Sequence, residues 1–145
     1  MSRSHSRAAV RAAVFAAATA TAVLAGPPAN AEVTGVSVDL GSEGIVTGCH
    51  YRVTATVTDA STPPGTVYFW LSGGVIPGNG ERLPGDPIHH PANNTVTTTW
   101  TPTHPGPQNL TAIQSVPGEY TSAMYTTINV EGTGLDTGSS CIRTG

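Results

Sequence analysis

The chain has 145 residues, six arginines and no lysine against nine acidic residues, so its formal net charge is −3. With so few cations it has no basic stripe to neutralise phosphates, and nucleic acid and anionic lipid are both poor partners. Two cysteines and no Gly-rich phosphate loop narrow the field further.

The first segment to read is the N-terminus. Arg3, Arg7 and Arg11 precede an apolar run from Ala12 to Ala25, and Ala29-Asn30-Ala31 supplies the small-x-small pattern that signal peptidase cleaves. Residues 1–31 are therefore expected to be a cleaved secretory signal, with the mature chain starting at Glu32. The run is too short and alanine-rich to span a bilayer, no second hydrophobic stretch follows, and the expected location is extracellular. Removing 31 of 145 residues leaves 114, the length of one domain that buries about two thirds of its unfolded surface. Three arginines leave with the signal; three against nine acids then give −6. The absence of lysine beside abundant Ala, Gly, Pro and Thr resembles the usage of a GC-rich bacterial genome.

From residue 33 to 130 the chain alternates with period two, rich in Thr and Val and broken by Pro and Gly. The first expected strand is Val33–Leu40, followed by a turn at Gly41-Ser42-Glu43-Gly44. Cys49–Thr58 is the clearest: Tyr51, Val53, Ala55 and Val57 take one face, and Arg52, Thr54, Thr56 and Thr58 the other. Pro63-Pro64-Gly65 breaks pairing before a third strand, Thr66–Leu71, which Gly73 and Gly74 end. Val75–Pro91 is too dense in proline and glycine for a central strand and is expected to be a long loop with a short edge strand around Arg82–Ile88. Thr95–Thr101 alternates again, with Val96, Thr98 and Trp100 in register. After a corner at Pro105-Gly106-Pro107, Asn109–Val116 and Ala123–Val130 complete seven strands. Short strands recurring roughly every ten residues, with turns between them, predict an all-β, antiparallel two-sheet sandwich over residues 32–131. The tail 132–145 shows only Gly, Ser and Thr and is expected to be disordered unless Cys141 ties it down.

In an oxidising compartment an isolated cysteine pair is most simply one disulfide, Cys49–Cys141. An intermolecular bridge and a reactive thiol are the alternatives, although neither cysteine has an adjacent cation or CxxC spacing to lower its pKa. Closing a loop of 92 residues (141 minus 49) stabilises by about 4–5 kcal/mol in the chain-entropy account. Alternating strand directions bring the end of the first strand, the start of the second and the end of the seventh to one pole, from which residues 132–140 reach across.

These residues also carry a resemblance. Tyr51 to Val57, Pro64-Gly65-Thr66-Val67-Tyr68-Phe69, Val96 to Thr101 with Trp100 and Pro102, Pro105-Gly106 and Leu110-Thr111-Ala112 look like the bacterial immunoglobulin-like repeat domains of secreted and surface proteins. The likeness covers residues 33–131, and the cysteine pair and short tail resemble single-domain secreted actinobacterial versions. It implies a spacer, stalk or adhesive module with no catalytic residues to carry over. The chain departs from the family's usual tandem arrays: no internal repeat, sorting signal or lipidated cysteine is found. Nor does it repeat the antibody cysteine arrangement, since Cys141 lies beyond the last expected strand.

The candidate chemistry is sparse. His50, His89, His90 and His104 lack HxH or HExxH spacing and read as loop histidines, so no metal or other cofactor is expected. Asp39, Asp59, Asp86 and Asp136 sit near turns, where Asp bends backbone for its own reasons, with calcium at the loop ends as the alternative. Asn93-Asn94-Thr95 and Asn109-Leu110-Thr111 are glycosylation sequons only in a host that glycosylates. No Gly-x-Ser-x-Gly elbow is present, and no catalytic residues are assigned. Parity singles out one surface. If Val67, Phe69, Leu71, Leu110, Ala112, Ile128 and Val130 face inward, Tyr68, Trp70, Ile113 and Tyr125 share an outer face suited to a protein or the flat face of a sugar. Trp100, in register with Val96, belongs in the core. The expected function is thus a non-enzymatic secreted module for extracellular protein or carbohydrate interaction through this face and the 75–91 loop. The alternative is a small-molecule-binding apoprotein holding an apolar ligand between sheet and loops, although such immunoglobulin-like apoproteins carry two disulfides at other positions.

Overall fold

The computed structural model describes residues 31–61, 66–72, 80–116, 118 and 120–145. Residues 1–30 of the expected signal segment 1–31, the Pro63-Pro64-Gly65 break, Gly73 and Gly74, and residues 75–79 of the expected loop lie outside them.

Valine, threonine and aromatic residues alternating across a pleat give strands, and the described residues contain eleven of them and no helix. In chain order they are β1 (Val33–Val38), β2 (Val46–Thr47), β3 (Tyr51–Val57), β4 (Thr66–Ser72), β5 (Glu81–Arg82), β6 (Ile88–His90), β7 (Thr95–Trp100), β8 (Gly106–Val116), β9 (Tyr120–Val130), β10 (Gly132–Asp136) and β11 (Cys141–Arg143). One four-stranded antiparallel sheet has the order β1-β3-β7-β6 and a second the order β5-β4-β8-β9. A third, three-stranded sheet has the order β11-β10-β2, with β10 parallel to β2.

The inner faces of the two larger sheets meet in one hydrophobic cluster. Tyr51, Val53, Ala55, Val57, Val96 and Trp100 come from one sheet, and Val67, Phe69, Leu71, Leu110 and Ala112 from the other. The alternation expected for β3 holds along its length: Tyr51, Val53, Ala55 and Val57 are buried, whereas Arg52 and Thr56 are exposed. Trp100 is 2% exposed and its ring tilts against Tyr51, 6.3 Å between centroids. Such edge-inclined pairs add to the burial of both rings.

Several expectations need correction. Instead of seven strands in two sheets, the described residues form eleven strands in three. The expected edge strand at Arg82–Ile88 divides: β5 pairs with β4, and β6 pairs with β7, so this segment passes from the edge of one large sheet to the edge of the other. The strand expected to start at Asn109 starts at Gly106, because Gly106 and Pro107 already pair with Val130 and Asn129. Its partner starts at Tyr120 rather than Ala123, and the two pair along eleven positions.

The tail is the largest difference. Gly132–Asp136 and Cys141–Arg143 form a hairpin, closed by Thr137 N donating to Ser140 O and by Gly138 N donating to Asp136 Oδ1. Three restraints fasten it. Gly132 and Thr133 align with Val46 and Thr47; Arg143 binds Glu131 through its carboxylate and its carbonyl, both at 3.1 Å; and the Cys49–Cys141 disulfide joins Cα atoms 5.8 Å apart. Gly134 permits this approach, since a Cβ there would collide with Val46 and the Cys49 sulfur.

Candidate functional site

The outer face of the β5-β4-β8-β9 sheet brings together the four residues that parity selects. Trp70 lies opposite Arg82 on one side and Thr111 on the other, and Thr111 lies opposite Tyr125. One step along the strands, Tyr68 faces Ile113, which faces Ala123. Two strand spacings separate Trp70 from Tyr125, about 9.5 Å, with only the small Thr111 between them. Tyr125 is the most open, at 66%. Tyr68, Trp70 and Ile113 are half-buried rather than fully outward.

Two details explain the partial burial. The Arg82 guanidinium carbon stands 4.1 Å from the centroid of Tyr68, a cation–π stack that covers one face of that ring. Trp70 leans over the backbone of Gly80, where an added Cβ would stand 3.1 Å from its Cε3. Glycine there lets the indole settle against the sheet edge. Both contacts orient the rings, and neither was legible before the β4–β5 pairing was known.

The other large sheet presents a different surface. Thr54, Thr56, Thr95, Thr97 and Thr99 alternate outward on β3 and β7. A groove of about 420 Å³ crosses this face beside Pro84, Asp86, Ile88 and His90, with Arg52 in its lining. Arg52 makes no ion pair among the described residues. A second hollow, about 290 Å³, opens beside β5 and is lined by Leu71, Leu83, Trp100, Arg82 and Thr101.

The four histidines are not brought together. His89 Nδ1 lies 3.0 Å from Ala60 O, His90 Nε2 2.9 Å from Thr97 Oγ1, and His104 Nδ1 2.9 Å from Thr103 Oγ1. His50 lies beside the disulfide, with Nδ1 2.6 Å from Thr101 Oγ1 and Nε2 3.5 Å from Asp136 Oδ2. Hydroxyl, imidazole and carboxylate in that order have the connectivity of a hydrolytic triad. Here, however, the imidazole is 64% exposed and the carboxylate is beyond good hydrogen-bond range. The contact's effect is to link the start of β3 to the tail hairpin. Asp59 closes a turn by accepting from Ser61 N at 2.8 Å, and hydrogen bonding from the Ser61 side chain and backbone lowers its pKa below the ordinary carboxylate range.

Two buried glutamines went unnoticed in the sequence. Gln108 and Gln114 are 1% and 0% exposed on the inner face of β8; Gln108 donates to His104 O and Gln114 donates to Asp59 O at 3.5 Å. The period-two series Gln108, Leu110, Ala112, Gln114 would have placed them there.

No family model, curated protein or solved structure matches this chain.

Proposed function

We propose that this chain is a non-enzymatic, secreted, immunoglobulin-like module that binds an extracellular protein or carbohydrate through the outer face of the β5-β4-β8-β9 sheet. The observation that carries the reading is the row Arg82, Trp70, Thr111, Tyr125 with Tyr68 alongside: three rings and one cation on a face that folding does not require to be aromatic. Rigid aromatic area with few rotatable bonds is the material of interface anchors and of platforms for sugar rings. The fold assignment is supported by strand order. Labelled along the chain, β1-β3-β7-β6 and β5-β4-β8-β9 follow the A-B-E-D and C′-C-F-G orders of immunoglobulin-like sandwiches, with β2, β10 and β11 added at one pole. An intramolecular disulfide is in keeping with an oxidising compartment, and no helix of the described residues is long and apolar enough to cross a membrane.

The test is retention of the purified domain on bacterial cells and on insoluble polysaccharides, with Trp70→Ala and Tyr125→Ala compared against the parent. Loss of retention in both variants, with folding intact, supports the reading; undiminished retention ends it.

The hollow beside β5 favours a second reading, a carrier of a small apolar ligand, because Leu71, Leu83 and Trp100 line it and its volume approaches that of ordinary ligand sites. Native mass spectrometry of material secreted by a bacterial host separates the two: a bound small molecule displaced by Leu83→Trp would favour the carrier.

A further inference from the structure

The row on the outer face of the β5-β4-β8-β9 sheet runs across the strands, and its residues alternate. Trp70 on β4 and Tyr125 on β9 are aromatic, Thr111 on β8 between them is small, and Arg82 on β5 closes the row. Rings on alternate strands make a platform whose period is two strand spacings, about 9.5 Å. One outer-face step along the strands, the border of this row is polar. Asn109 lies opposite Thr127, and Thr127 Oγ1 donates to Asn109 Oδ1 at 2.8 Å. That bond fixes the Asn109 amide and leaves its Nδ2 donors, which have no partner among the described residues, for a ligand. The border on the other side is formed by Tyr68, Ile113 and Ala123, and it offers no such donors beyond the tyrosine hydroxyl. The Arg82 guanidinium, held at 4.1 Å over Tyr68, makes no ion pair among the described residues, so its N–H groups also remain available.

We propose that the ligand of this face is a linear polysaccharide of β-1,4-linked, all-equatorial sugars, lying across the strands with one sugar over each. The inference rests on the reading that this face binds, and it names what is bound. Equatorial bonds at C1 and C4 keep such a chain extended, and it advances per sugar by about 4.8 Å, one strand spacing. A chain laid along the row therefore sets one ring on Trp70, the next over Thr111 and a third on Tyr125, while a fourth reaches Arg82 at the other end. Successive rings in a β-1,4 chain are flipped edge for edge, so the first and third present the same face and the same edge. Their C–H faces meet the two aromatic rings, and the middle ring needs only room, which Thr111 leaves. Equatorial hydroxyls of the second and third rings then reach Asn109 and Thr127, and those of the fourth reach the Arg82 fork. Axial linkages curl a chain and β-1,3 linkages coil it, so neither holds this line over four strands. A protein surface has no reason to repeat at this period. Adjacent strands are rotated by roughly 20–25°, so the row turns along its length. A single chain, free to rotate at each linkage, follows that turn, whereas the flat face of a crystal does not.

Titration calorimetry on the processed, disulfide-bonded chain with soluble hexasaccharides tests the proposal. Cellohexaose or chitohexaose is expected to bind, the choice between them separating a glucan from an N-acetylglucosamine polymer, while maltohexaose (α-1,4) and laminarihexaose (β-1,3) do not. The disaccharide of the bound series, too short to bridge Trp70 and Tyr125, is expected to bind at least about tenfold more weakly, and Trp70→Ala and Tyr125→Ala each to weaken the hexasaccharide by about tenfold with native melting. The double variant Thr111→Tyr/Tyr125→Ala keeps two rings in the row but one strand apart, and is expected to bind no tighter than Tyr125→Ala. Absence of binding by both β-1,4 hexasaccharides at millimolar concentration, equal affinity for maltohexaose or laminarihexaose, a disaccharide bound as tightly as the hexasaccharide, or parental affinity in the moved-ring variant would each overturn the proposal. Retention of the same proteins on bacterial cells keeps the two failures apart. Retention lost in Trp70→Ala and Tyr125→Ala while no hexasaccharide binds overturns the ligand and leaves the binding face; undiminished retention overturns the face itself.

Discussion

The two large sheets solve the same problem with different outer faces. On β3 and β7 the outward positions are Thr54, Thr56, Thr95, Thr97 and Thr99, residues that fit a pleated surface while exposing little apolar area. On β4, β8 and β9 the equivalent positions include Tyr68, Trp70, Ile113 and Tyr125, set among Thr111, Ala123 and Thr127. Threonine shows that strand formation in this chain does not need outward aromatics, so their presence on one face alone points to a task other than folding.

The comparison can be broken most forcefully through the tryptophans. Trp100→Ala removes a buried ring packed on Tyr51 and is expected to cost about 3–5 kcal/mol in denaturant unfolding. Next comes Cys141→Ser, expected to cost about 2–5 kcal/mol and to free the hairpin first, because Cys141 anchors β11. Hydrogen exchange should then show residues 132–145 opening ahead of the β3–β7 ladder. Trp70→Ala should cost no more than about 1 kcal/mol in folding, yet weaken retention on the ligand by roughly 2 kcal/mol or more. Thr99→Val on the opposite face should stay within about 0.5 kcal/mol of the parent and leave retention unchanged. The smallest effect concerns Asp59. Its pKa is lowered in the folded chain by hydrogen bonds from Ser61, so the stability it adds is present above the unfolded carboxylate value near 4 and is lost as pH falls through the folded value. Asp59→Asn should flatten that part of an acid melting series and leave neutral pH almost untouched.

The same contrast shows what the sequence could reveal. Strand β3 and the opposite fates of Trp70 and Trp100 were readable because period-two alternation sets the buried face directly, and the shared pole made Cys49–Cys141 the simplest pairing. β10 and β11 were not readable. Gly132 and Gly134 have poor strand propensity, and they pair because the disulfide and Arg143–Glu131 hold them against β2, contacts that depend on tertiary placement. The split of 81–90 between two sheet edges is likewise a matter of packing: proline and glycine density marked the segment as irregular but could not say which strands it would join. The stacking of Arg82 on Tyr68, and the settling of Trp70 over Gly80, needed the β4–β5 register before they could be seen.

The central claim is that one outer face binds and the other does not. Its most direct test is a matched scan of the two faces, with equilibrium retention on bacterial cells and insoluble polysaccharide measured for Trp70→Ala and Tyr125→Ala against Thr54→Ala and Thr99→Ala, all checked for native melting. Retention lost only in the first pair is the predicted result. Equal retention in all four variants, or loss in the threonine pair, would contradict the account.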